Sequence, residues 1–269
     1  MSHTSLEIKN LDVGLSSARN SDLLLNDVSC SIEAGEMHGL VGETGSGKSM
    51  TARSVIGLLP KGVKVFDGSV IFDDKDLLQI EEKELLSIRG RDIGMIFQNP
   101  RTALYPLATV EKQIMNVIKT HLDISTIEGL DRINSILNQV GIDDPERVAK
   151  AFPHELSGGM AQRVVIACSI VCEPKFVIAD EPTTGLDLTI QKQILDLISE
   201  LQNTLGISIL MITHDLGIVA QYCKSVTVLK SGKVVEKGLV NSVLVEPQEA
   251  YTQQLIESSR LDRLVNKTR

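Results

Sequence analysis

Gly42-Glu43-Thr44-Gly45-Ser46-Gly47-Lys48-Ser49 is a complete G-x-x-x-x-G-K-[ST] stretch, and its flanks decide what it means. The preceding Glu36-Met37-His38-Gly39-Leu40-Val41 reads as a buried strand, and Ser49 to Ile56 reads as the opening of a helix. A glycine-rich path from strand to helix lets successive N–H groups and the helix N-terminus converge on one point, which suits phosphate oxygens. Lys48 is placed to neutralise β- and γ-phosphates, and Ser49 to ligate Mg²⁺. An ordinary glycine-rich turn has no need of all four defining positions in this context.

The chain around this loop has 269 residues, enough for one large domain or two small ones with a proper core. No stretch approaches the ~20 apolar residues of a membrane-spanning helix. The polar start Met1-Ser2-His3-Thr4 is no signal peptide, so a soluble, cytoplasmic chain is expected. A formal net charge of -8 speaks against a broad nucleic-acid surface, which calls for clustered Lys and Arg. Cys168 and Cys172 stand at i, i+4 in the apolar run Val164 to Cys172, a pattern of helical core more than of a metal site.

Strand signals recur on either side of the loop. Leu6 to Val13 alternates apolar and polar residues, and Gly68 to Phe72 repeats the pattern, which predicts a β-rich flank. Ile93 to Phe97 is a short apolar run ending at Gln98 and the breaker Asn99-Pro100. Between Val110 and Ala151 the spacing turns helical, with Ile133, Ile136, Leu137 and Val140 on one face. Phe176 to Ala179 is a further buried strand, Ile194 to Leu205 an amphipathic helix, and Ile207 to Ile212 a strand again. This alternation predicts an α/β fold with a parallel core. A hairpin is expected at Lys230-Ser231-Gly232-Lys233, then a polar helical tail.

Hydrolysis of a phosphoanhydride needs a metal, an oriented water and stabilised charge, and acidic residues at a strand end supply the first two. Asp180 fits the metal partner and Glu181 the base, placed after four apolar residues and before Pro182. His214 follows another strand; alone it reads as structural, as Gln98 does, and the joint order of these residues gives them weight. Leu156-Ser157-Gly158-Gly159-Met160 puts a hydroxyl and two glycines before a helical run, which is a cap and turn by itself and also an anion site.

Taken in order, the phosphate loop, Gln98, Leu156 to Met160, Asp180-Glu181, Leu186-Asp187 and His214 resemble the nucleotide-binding subunit of an ATP-binding-cassette (ABC) transporter. The resemblance spans nearly the whole chain. It implies a P-loop NTPase core of ABC type over 1–98 and 166–240, a helical signature lobe over 99–165 and a tail over 241–269, all in one domain. It implies ATP and Mg²⁺ as cofactors. Gly42 to Ser49 would hold the nucleotide, with Ser157, Gly158 and Gly159 facing the γ-phosphate on a partner's loop. Glu181, His214 and Gln98 would be catalytic, and Ser49, Gln98 and Asp180 would serve the metal. Partners so implied are a second, paralogous ATPase subunit in a head-to-tail dimer, two membrane-spanning permeases and an extracytoplasmic solute-binding protein, with no nucleic acid. The subunit would be peripheral, on the cytoplasmic face of the membrane.

Phe152 to Arg163 and Phe97 to Leu107 are similar to the peptide and nickel importer branch, as is Glu246 to Thr252, although Glu249-Ala250 stands there in place of His-Pro. Gln98 to Arg101, Cys172-Glu173-Pro174 and the short tail look more like nickel importers, so nickel is the favoured cargo and peptide the alternative. No aromatic residue precedes Phe66, so the usual stacking partner of adenine is missing; Arg19 is the candidate replacement, and weaker purine discrimination is expected. A soluble repair or translation ATPase would call for two cassettes, long coiled coils or basic arms, which this chain lacks. A kinase would leave the signature and His214 unused.

Overall fold

Leu6, Ile8, Leu11 and Val13 are all buried, and the break in their alternation is a bulge at Asn10. A computed structural model describes residues 4–17 and 23–259 of the chain. The four apolar residues belong to β1 (Thr4–Leu15), where Asn10 has a φ of 48° and its amide donates to Asp27 of β2 (Leu23–Glu33) at 2.6 Å. Next come β3 (Met37–Val41), α1 (Lys48–Val55), β4 (Val63–Phe72) and the short β5 (Lys75–Asp76). An antiparallel sheet forms in the order β2-β1-β4-β5, which is the expected β flank with β2 and the short β5 added, neither of them foreseen from the sequence.

By compactness the chain falls into two units, Met1–Leu85 with Ser208–Arg269, and Leu86–Ile207; the division lies within α2 (Glu82–Ile88). The second unit contains β6 (Ile93–Ile96), α3 (Pro100–Ala103), α4 (Val110–His121), α5 (Thr126–Gln139), α6 (Pro145–Lys150), α7 (Gly158–Ile170), β7 (Phe176–Asp180) and α8 (Leu188–Leu205). Its helices start where the sequence offers caps. Thr109, Asp144, Ser157 and Asp187 accept from N–H groups of the first turns of α4, α6, α7 and α8, and Ser125 forms a capping box with Glu128 at α5. Ile114, Ile118, Ile133 and Leu137 are the buried stripes of α4 and α5. Strands β6 and β7 pair in parallel, with Gly94 opposite Val177.

The chain then returns to the first unit with β8 (Ser208–Thr213), α9 (Leu216–Tyr222), β9 (Ser225–Lys230), β10 (Lys233–Leu239), α10 (Val240–Val245) and α11 (Ala250–Ser258). Within this unit the strands run β10-β9-β3-β8, the first pair antiparallel and the other two parallel. Every residue of β3 and β8 is buried, as befits parallel strands covered on both faces. The polarity of β3 at His38 is met inside the sheet: its ring nitrogens bond Ser225 at 2.6 Å and Thr227 at 2.9 Å on β9. The α/β class and the hairpin after Lys230 are as expected. The tail is helical, but less polar than its composition suggests, since Tyr251, Thr252 and Ile256 of α11 are buried. Among the described residues no helix is long and apolar enough to cross a membrane.

Candidate functional site

In the first unit the loop from Gly42 to Ser49 leaves β3 and enters α1 behind Gly47, a left-handed N-cap without a capping side chain. The first turn of α1 holds no acidic residue to offset the positive end of the helix dipole. Gly42 has a φ of 152°, and a Cβ there would stand 2.1 Å from the Leu229 carbonyl oxygen; at Gly47 it would stand 2.5 Å from Leu25. The loop is thus a cradle drawn tight against β2 and β9 that side chains would prevent. Lys48 is buried, and its Nζ donates to the carbonyls of Gly42 at 2.7 Å and Glu43 at 2.9 Å, which holds the ammonium over the loop. Gly232, in the turn after β9, donates its N–H to Ser46 O at 2.9 Å and steadies the loop from outside. The Oγ of Ser46 is buried and has no partner among the described residues, a polar atom within the cradle. Tight glycines, a bare helix start and a held lysine fit a polyphosphate.

His214 follows β8 in the same unit and is exposed. Asp215 behind it caps α9, accepting from Gly217 N–H at 2.7 Å, and this fixes the turn that carries the histidine. His214 and Gly42 line one cavity of about 300 Å³.

In the second unit Asp180 is buried at the end of β7, and Glu181 directly follows in a left-handed conformation, φ 46°. That unusual backbone for a side chain of this size turns the carboxylate into a small network. Glu181 Oε2 accepts from Gln98 Nε2 at 2.8 Å and from the Thr184 hydroxyl at 2.9 Å. Gln98 and Glu181, 83 residues apart, are therefore brought together in one hydrogen bond. Thr184 was not anticipated. Its signal was present, because Pro182 marks a turn and a hydroxyl three residues after an acid can close back on it.

Ser157 caps α7, its Oγ accepting from Met160 N–H at 3.3 Å, and no acid lies in the first turn. A hydroxyl that accepts at the cap retains a proton to donate. Gly158 and Gly159 form that first turn, and a Cβ on Gly159 would meet Ile190 Cγ2 at 2.9 Å. The second glycine thus serves packing against α8 as well as access. Leu156, just before, is buried, and Phe152 stacks on His154 with ring centroids 5.8 Å apart.

Cys168 lies in α7, whereas Cys172 falls beyond its end. Burial pushes the Cys168 thiol up to about 12 and also raises that of Cys172. Arg19 lies outside the described residues.

The family description ABC transporter matches residues 25–184. Over 252 residues the chain is 46% identical to the peptidoglycan transport ATP-binding protein YejF of Agrobacterium fabrum, covering 93% of this chain and 46% of that protein, so it spans about half of that relative. Over 259 residues it is 44% identical to the dipeptide transport ATP-binding protein DppD of Bacillus subtilis, covering 96% of this chain and 77% of that one. Among solved structures, the dimeric post-hydrolysis state of the ATP-binding cassette MJ0796 bound to ADP and Pi aligns with a TM-score of 0.76 at 27% identity, over 87% of this chain and 98% of that one. With this fold and with that match over more than half of its length, the chain belongs to the ABC transporter family as an ATP-hydrolysing cassette.

Proposed function

We propose that the chain energises a peptide importer as one of two cassettes that close head to tail on ATP. The observation that carries this reading is a pair of helix starts made for anions, α1 behind Gly47 with Lys48 and α7 behind Ser157. A γ-phosphate held by Gly42 to Ser49 of one cassette and met by Ser157, Gly158 and Gly159 of another would be clasped from both sides. Dimerisation would then depend on the nucleotide, and hydrolysis would release it. The dimeric MJ0796 cassette is a precedent for such pairing.

Hard oxygen donors fit Mg²⁺, and the Ser49 hydroxyl and the Asp180 carboxylate are two of them. Gln98 fits as a third, because its Nε2 is spent on Glu181 and its carbonyl oxygen is the atom a cation would take. Once bound, the ion would neutralise phosphate charge. Glu181 would accept the proton of the attacking water, with Gln98 and His214 reporting the γ-phosphate.

The helical lobe over 99–165 would carry the signature and the docking site for two membrane-spanning subunits. Phe97, Tyr105 and Leu107 are 43%, 61% and 75% exposed around Asn99 to Tyr105, an apolar border suited to a partner. A paralogous second cassette, a solute-binding protein and a peripheral place on the cytoplasmic face complete the importer. Peptide replaces nickel as the favoured cargo, because the relatives are named for peptidoglycan and dipeptide transport. The test is a reconstituted complex with its permeases, assayed for Mg²⁺-dependent ATPase while dipeptides or nickel are titrated through the binding protein. Stimulation by peptides supports the reading. Stimulation by nickel alone overturns the cargo, and absence of ATPase activity overturns the function.

A further inference from the structure

Tyr251 is the one residue of the C-terminal helices that touches the phosphate loop through a polar atom among the described residues. It lies 208 residues from Glu43, yet the Glu43 N–H donates to its phenol oxygen at 3.2 Å. The Lys230 ammonium sits over its ring, 4.5 Å from the centroid, and so fixes the ring from the end of β9. The ring is buried in a cluster with Val41, the residue before the loop, and with Leu216, two residues after His214. Leu255 and Ser258 of α11 and Ser259 just beyond its end line the cavity that Gly42 and His214 also line. A helix that composition marks as a polar tail is therefore built against both ends of the nucleotide machinery of its unit.

Within the loop Lys48 bonds the Gly42 and Glu43 carbonyls and the Ser46 N–H bonds the Glu43 carbonyl, yet its glycines leave it dependent on outside support as well. Gly42, Gly45 and Gly47 all have positive φ, and glycine is the residue with most conformational freedom to lose. Gly232 N–H on the Ser46 carbonyl and Tyr251 on the Glu43 N–H brace the loop from outside, one at each side of Gly45. The Tyr251 bond comes from a side chain and can be removed without touching the backbone.

We propose that Tyr251 is a positioning residue for nucleotide binding: its phenol holds the Gly42–Glu43 segment in the ATP-competent path and makes α11 a strut that sets the affinity of the loop for ATP. The inference rests on the reading that Gly42 to Ser49 holds ATP. Tyr251 takes no part in the chemical step, so its loss raises KM for ATP and leaves kcat unchanged.

The experiment compares the full chain with Tyr251→Phe, which removes the hydroxyl and keeps the ring, and with Lys230→Ala, which frees the ring. ATP dissociation constants, steady-state KM and kcat, and thermal midpoints are measured for each. Tyr251→Phe is expected to raise Kd and KM for ATP roughly two- to tenfold, the worth of one net hydrogen bond. Saturated kcat stays within twofold, and Lys230→Ala shifts Kd in the same direction by less. Equal ATP affinity in Tyr251→Phe and the unsubstituted chain overturns the inference, as does a fall in kcat with unchanged KM. Failure of the unsubstituted chain to bind ATP overturns the underlying reading, and the inference with it.

Discussion

Gln98 and Glu181 are joined by a hydrogen bond of 2.8 Å from the Gln98 amide to the Glu181 carboxylate, which ties a strand-end loop after β6 to the residue after β7. Replacing Glu181 by Gln keeps an oxygen that can accept from Gln98 and Thr184, so the local geometry survives while the basicity is lost. Glu181→Gln is expected to bind ATP as the parent does, to lose turnover by roughly 10²–10⁴-fold, and to accumulate as an ATP-bound dimer. ATPase rates with light scattering check this. Unchanged turnover would exclude Glu181 as the base.

Thr184 shares the same carboxylate oxygen at 2.9 Å. Thr184→Val is nearly isosteric and removes one donor, so the carboxylate loses one of its anchors. Turnover is expected to fall roughly tenfold, with KM for ATP little changed, and Thr184→Ser should restore most of it. A KM effect without a kcat effect would assign Thr184 to binding instead.

The Gln98 and Thr184 contacts mark how far the sequence could be read. The phosphate loop, its strand and its helix were legible because each is local: Met37–Val41 and Lys48–Val55 lie within a residue of the expected bounds. Strand β2 was missed, since Leu23-Leu24-Leu25 is a continuous apolar run and Asp27, at φ 57°, breaks the alternation that identifies a strand. Gln98 and Glu181 were each singled out by family order, but their hydrogen bond to one another has no local signal. Nothing local in Tyr251 points to Glu43, because the contact depends on how α11 packs and not on any period of its own sequence.

Lys48 bonds two loop carbonyls, so its removal takes away a charge and an internal brace together. Lys48→Ala is expected to weaken ATP binding by well over roughly tenfold, since charge-assisted bonds are worth more than neutral ones. Calorimetric titration of ATP measures it. Tight binding retained in that variant would contradict the phosphate assignment.

The two signature glycines should respond differently to alanine. A Cβ on Gly158 meets Leu186 at 3.4 Å, an ordinary contact, while one on Gly159 meets Ile190 Cγ2 at 2.9 Å. Gly159→Ala is expected to lower stability by about 1–3 kcal/mol through overpacking, and Gly158→Ala by much less. Denaturant midpoints of the two variants, and of Gly159→Ala combined with Ile190→Ala, test the cause. Equal loss in both single variants would remove the packing role given to Gly159.

Glu36, just before β3, provides the pH prediction. Burial works to raise its pKa, but His38 close beside it, the hydrogen bond from the Ser225 hydroxyl and the charge of Lys224 outweigh it, leaving the carboxyl below its ordinary value of 4.5. Lys224 Nζ is 3.7 Å from the carboxylate, and the neighbouring Cys223 thiol, pushed up to about 12 mainly by burial, stays neutral beside it. A pKa lower in the folded than in the unfolded chain means stability that is fully present above the unfolded value and lost as pH falls through the folded one. Glu36→Gln should therefore lower the thermal midpoint most near neutral pH, and the gap to the parent should close as pH drops below 4.5. Melting curves of both proteins from pH 7 downward measure that gap. If it widened in acid, Glu36 would be destabilised by its burial, and the His38–Ser225–Glu36 contacts at the head of β3 would not be what holds that strand's entry.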